Sequence, residues 1–186
     1  MNLVTRAKAI LMTPKQEWAA IDSEPLNVAA LLTGYVIPLA LIGPIARFIG
    51  FSIFGFGGLF RVSMGSGISM AIVSFVLAIV GVFVLAWVIN ALAPSFGAKQ
   101  DMPQAIKLAA YSMTAAWIAG IFYLLPALSM LALIGALYSL YLFYVGLPIL
   151  MKAPEDKTPG YAIAVIVACI VVFYIIGAIT SRMAYM

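Results

Sequence analysis

Five stretches without a single Asp, Glu, Lys or Arg constrain this chain more than anything else in it: residues 28–46, 68–93, 108–125, 127–151 and 161–181. Their lengths are 19, 26, 18, 25 and 21 residues. A helix crossing a hydrocarbon layer of about 30 Å needs about 20 residues, so each run is long enough and the third only just. The composition agrees: 66% of residues are hydrophobic and 9% charged, where soluble domains average roughly 45–50% apolar and about 25% charged. The expected fold is all-α and polytopic. It comprises an amphipathic arm over residues 1–25 and a five-helix transmembrane domain over 26–186.

Only Pro126 separates the third and fourth runs. As one helix they would cover residues 108–151 and extend roughly 66 Å, twice the bilayer. Proline removes a backbone donor and disfavours helical geometry in the residue before it, so 124–127 is expected to form a tight hairpin at one membrane face.

Basic residues give the orientation. Arg6, Lys8, Lys15, Lys99, Lys107, Lys152 and Lys157 fall on one side of the expected spans, and Arg47, Arg61 and Arg182 on the other. Cytoplasmic loops carry the excess of Lys and Arg, which predicts a cytoplasmic N-terminus and an external C-terminus.

Residues 9–12 are too short an apolar core for a cleavable signal. Leu3, Ala7, Ile10 and Leu11 instead repeat at helical spacing beside Arg6 and Lys8. Thr13-Pro14-Lys15-Gln16 then reads as a capping box opening a second short helix through Trp18 and Ile21. Trp18 with Arg6, Lys8 and Lys15 suits a helix lying at the headgroups, with a solvated leader as the alternative. Arg47 and Arg61 would anchor the opposite face. Residues 48–60 are apolar, rich in Phe and Gly, and too short to span; they predict a segment dipping into the interface, or a re-entrant one.

The chain has no histidine and one cysteine, Cys169. An intrachain disulfide, a His-dependent triad and a His/Cys zinc site are therefore excluded. No catalytic residue, metal ligand or cofactor is expected. A net charge of +4 spread over separate connections does not make a nucleic-acid surface. The five runs hold no ionisable partner for a moving proton or ion, which disfavours pumps and ion-coupled carriers.

What the runs do hold is mild. Asn90 can bond between helices. Ser112, Ala116 and Gly120 recur at intervals of four, as do Gly135 and Ser139; small residues so spaced let helix backbones approach. Tyr111, Trp117, Tyr123, Tyr138, Tyr141 and Tyr144 gather in the third and fourth runs. With Asn90 they are candidates to line a cavity for a lipid or apolar ligand; the alternative is bundle core and interfacial belt.

Several stretches together resemble one family. They are Thr13-Pro14-Lys15-Gln16-Glu17-Trp18, Leu92-Ala93-Pro94-Ser95-Phe96-Gly97, Ala110-Tyr111-Ser112, the exit from Tyr144 to Pro154, and Gly160-Tyr161. The chain resembles the Yip (Ypt/Rab-interacting protein) domain family, in its bacterial inner-membrane branch. The resemblance implies a five-helix membrane domain with a cytosolic N-terminus. In eukaryotic members it implies trafficking roles, binding of prenylated small GTPases and oligomer formation. The Asp-Leu-Tyr-Gly-Pro signature of those relatives is absent from this arm, which weighs against GTPase binding. The third run also lacks a proline at or near Ala115, which predicts a straighter third helix than in relatives.

The expected function is non-enzymatic: a protein that organises membrane or protein partners. A passive conduit for a lipid or small neutral molecule, along the tyrosine-lined face, is the alternative. Expected partners are membrane lipids, further copies of the chain or another membrane protein.

Overall fold

The computed structural model describes residues 2–55 and 61–184, with side chains described for all of these except 173 and 175–184. The described residues are helical, with no strand among them. Two short helices, α1 (Leu3–Met12) and α2 (Pro14–Ser23), precede four helical segments long and apolar enough to cross a membrane. These are the first span (Val28–Phe54), the second (Met64–Phe96), the third (Met102–Leu124) and the fourth (Pro126–Leu150). A fifth apolar helix runs Thr158–Ala184. The fold is the all-α, five-helix membrane bundle that the charge-free runs predict.

Local chemistry explains the segment ends. Asn27 opens the first span by accepting the Ala30 N–H at 3.0 Å. Pro38 and Pro44 cannot donate within the ladder, and the span accommodates them by breaking at Leu41 and by widening to π-helical turns at Leu32–Val36 and Ile49–Phe54. Residues 48–54 thus continue the first span as helix, while 56–60 lie outside the described residues. Ser63 caps the second span on Ser66 N–H, and Asp101 caps the third on Gln104 N–H, both at 3.2 Å. Thr13 does not cap α2: its hydroxyl donates back to Ala9 O at 3.1 Å, so only the proline of the expected capping box serves there.

The third span is not one continuous α-helix. Its α-helix is interrupted at Met113, flanked by Ser112 donating to Leu108 O and Thr114 donating to Tyr111 O, both at 2.6 Å. Such back-bonding competes with the helical ladder, which is interrupted here without any proline. The hairpin stands where expected: Leu125 is extended (φ −115°, ψ 107°), and Pro126 starts the return.

The ends of the bundle sort by connection. Lys99 N–H bonds Met151 O at 2.8 Å, and Lys152 pairs with Asp22 at 2.5 Å, so the arm and the second and fourth connections share one end. At the other end Gly50 rests on the backbone of Tyr123 and Leu124. The core begins at the arm's end, where Ile10, Trp18 and Ile21 are fully buried in one cluster with Leu108, Leu142, Leu147 and Tyr161.

Candidate functional site

The arm is held by charge as much as by apolar contact. Arg6 is 4% exposed, and its guanidinium donates to Glu17 at 2.6 Å and to Glu24. It also lies over the Tyr111 ring, 5.6 Å from the centroid. Burial works against the Arg6 charge, but the hydrogen bond to Glu24 and the fields of Tyr111, Glu24 and Glu17 outweigh it and raise its pKa above the ordinary arginine value. Lys107 donates to the carbonyls of Ile21 at 2.8 Å and Glu24 at 2.5 Å, gripping the end of α2. Gln104 reaches the Asp22 carboxylate and carbonyl at 3.0 and 3.1 Å. A recess of about 240 Å³ remains between the arm and the first and third spans, lined among others by Arg6, Asn27, Tyr35, Lys107 and Tyr111.

Arg6 and Trp18 were expected at the headgroups, and the structure places both in the interior; a buried guanidinium is tolerable here because two carboxylates come with it. Lys8 and Lys15 are exposed on the arm, and Arg47 and Arg61 are exposed near the opposite end. The charges also reach further into the helices than the charge-free runs imply. Lys107 belongs to the third span and Arg47 to the first, because the helices extend beyond those runs.

The aromatic candidates do not converge on one cavity, although the Tyr138 and Tyr141 rings lie 5.4 Å apart. Tyr111 faces the arm, with ring contacts to Trp18 at 6.3 Å and Tyr35 at 4.7 Å. Tyr138 donates to Leu11 O at 2.7 Å, fastening α1 to the fourth span. Tyr141 and Tyr144 are each 45% exposed on the outer face of that span. Trp117 and Tyr123 line a narrow slot of about 140 Å³ between the first, second and third spans. Asn90 lies near the arm end, its backbone carbonyl accepting from Gln100 at 3.2 Å.

The small residues all sit at close approaches. Ser139 accepts the Ala116 N–H at 2.9 Å, across the hairpin. Gly120 meets Gly43, where an added Cβ would come within 2.8 Å of the Gly43 Cα. A Cβ on Gly135 would lie 2.2 Å from that of Ala119. Ser112 is fully buried.

The largest opening among these is apolar and lies between the second, third, fourth and fifth helices. Its volume is about 550 Å³, and Val82, Met113, Trp117, Phe143, Val165 and Cys169 are among its walls. Of the residues expected to line a cavity, Trp117 is in that lining, together with Ser139 from the small-residue set. Sequence reasoning missed the Tyr35–Thr114 hydrogen bond (2.8 Å), the Lys107 grip and the role of Glu17 and Glu24. A usable signal existed for the last: Arg6, Glu17 and Glu24 all belong to the arm side, where a basic and two acidic residues can neutralise one another. No cluster of His, Cys, Asp or Glu able to hold a metal ion occurs among the described residues.

Comparison with known proteins supplies a family. The chain is 24% identical over 174 residues to the inner membrane protein YohC of two Escherichia coli strains, covering 90% of this chain and 89% of YohC. No solved structure matches it. The Yip1 domain family matches residues 8–176, most of the arm and the bundle, and the protein belongs to that family.

Proposed function

We propose that this protein acts without catalysis, as a membrane-embedded organiser that holds lipid and through it shapes its membrane surroundings. The observation that carries the reading is the contrast between its polar groups and its open space. Arg6, Lys107, Tyr35, Thr114 and Tyr161 are buried and bonded within the protein, whereas the 550 Å³ cavity is walled by apolar side chains apart from Ser139, whose hydroxyl is taken up by the Ala116 N–H. Apolar cavities take apolar occupants, and a buried group already engaged in a structural bond is poorly placed for proton transfer. The scatter of Tyr138, Tyr141 and Tyr144 weighs against a conduit along that stripe. The E. coli relatives, named inner membrane proteins, support an inner-membrane location, and the excess of basic residues on the arm side supports a cytoplasmic arm.

Reconstitution tests this. The intact chain, purified in mild detergent, should retain phospholipid, and proteoliposomes containing it should show no faster solute flux or lipid flip-flop than empty vesicles. Acceleration that disappears in the Tyr138→Phe, Tyr141→Phe double variant would establish the conduit instead.

A further inference from the structure

A second cavity of about 340 Å³ opens at the end of the bundle away from the arm, lined by Pro44, Arg47, Ser52, Gly67, Tyr123 and Ser129 among others. Arg47 lies 19 residues beyond the start of the first span, roughly 28 Å along it, and therefore at the opposite membrane face. Its guanidinium stacks on Tyr123 at 4.4 Å, and among the described residues no carboxylate lies within ion-pair distance of it. Ser52 lines the same cavity, is 8% exposed, and its Oγ has no hydrogen-bond partner among the described residues. A cation with no carboxylate near it and a buried hydroxyl with no partner, lining one cavity, are suited to receive an anion.

The space does not end there. The slot described above shares Pro44, Arg47 and Tyr123 with this cavity, and shares Ala78 and Trp117 with the 550 Å³ apolar cavity. From Ala71 in the first lining to Gly81 in the last is ten residues of the second span, about 15 Å, half the hydrocarbon thickness. We infer that Arg47, Ser52, the slot and the apolar cavity form one phospholipid site, with the phosphate at Arg47 and Ser52 and an acyl chain running inward past Trp117. The inference rests on the lipid-holding function proposed above and assigns it a headgroup and a path. Arginine supplies the fork of donors that phosphate oxygens accept, and its stacking on Tyr123 fixes that fork in place. The occupant is a membrane phospholipid, because the phosphate end opens directly into an apolar passage one acyl chain long.

Native mass spectrometry of the full chain in mild detergent tests it, with phosphatidylglycerol and a diacylglycerol of matched chains as probes. One phosphatidylglycerol per chain is expected, with the diacylglycerol retained at least about tenfold less, the cost of losing a charge-assisted contact. Arg47→Gln should lower phosphatidylglycerol retention by a similar factor, Arg47→Lys should restore only part of it because it keeps the charge but not the stacked fork, and Ser52→Ala should lose less than Arg47→Gln. Ala78→Phe, at the junction of slot and cavity, should expel the lipid; Ile166→Phe in the cavity wall replaces it where that variant is not monodisperse. Equal retention by Arg47→Gln, or of the diacylglycerol, would overturn the headgroup assignment. If the cavity-filling variant expels lipid while Arg47→Gln keeps it, only this inference fails. If the unaltered protein retains no lipid, the lipid-holding reading fails as well. Displacement of phosphatidylglycerol by excess inorganic phosphate would overturn the joined site, since it would show an anion pocket independent of the chain path.

Discussion

The indole of Trp18 fills the space that a side chain at Gly146 would need: a Cβ placed there would lie 2.6 Å from Trp18 Cε2 and 2.7 Å from Leu108 Cδ1. The arm is thereby keyed into the fourth span. A fully buried Trp cannot swing away cheaply, so Gly146→Ala should cost about 1–3 kcal/mol. In a protein whose other tryptophans, Trp87 and Trp117, are replaced by Phe, the emission of Trp18 should shift to the red. Unchanged emission and unchanged melting temperature would show that the arm's seat adapts freely.

The ion pairs of Arg6 call for a different experiment. With side-chain exposures of 5% for Arg6 and 13% for Glu17, Arg6→Met leaves the Glu17 carboxylate buried without its partner. Losing one member of a buried pair costs about 3 kcal/mol, so the arm should become protease-sensitive. Adding Glu17→Leu should recover much of the loss, because Glu24 is more exposed and can be solvated. Equal sensitivity of single and double variants would contradict the pairing.

The hairpin of the third and fourth spans depends on near-contact of backbones. Gly135→Val would drive methyls into Ala119 and the Ala115 carbonyl, and should cost about 2–3 kcal/mol. Ser139→Ala only removes the acceptor for Ala116 N–H and should cost about 1 kcal/mol. Thermal unfolding in detergent should rank the two in that order; the reverse order would place the weight of the hairpin on the hydrogen bond.

Orientation is tested by fusion. Alkaline phosphatase joined to the C-terminus should be active, since seven basic residues lie on the arm side against three on the other. An inactive C-terminal fusion with an active N-terminal one would invert the bundle, placing the Arg47 cavity on the cytoplasmic side.

Residues 28–46, 68–93, 108–125, 127–151 and 161–181 were readable as helices because hydrocarbon solvent imposes a rule on each stretch separately: satisfy the backbone internally and carry no charge. The Pro126 break and the Asp101 cap were equally local, each set by neighbouring residues. The Met113 interruption was not, because nothing in the amino-acid types says whether Ser112 and Thr114 will bond to their own helix or to another.

Everything that turns on which helix meets which was decided by tertiary structure. Arg6 and Trp18 look like interfacial residues in sequence, and any cation or indole beside an apolar run does; only the folded arrangement brings Glu17, Glu24 and Gly146 to make their burial favourable. Tyr138, Tyr141 and Tyr144 share a helical arc, yet one is bonded to the arm and two face outward, since spacing fixes an arc but not its neighbours. The same holds for Arg47 and Ser52. Sequence determined that the chain is a five-helix membrane protein with its charges toward the ends, because each span answers to its solvent alone. Packing determined where a cation would be left without a carboxylate beside an apolar passage, because that depends on contacts between residues far apart in the chain.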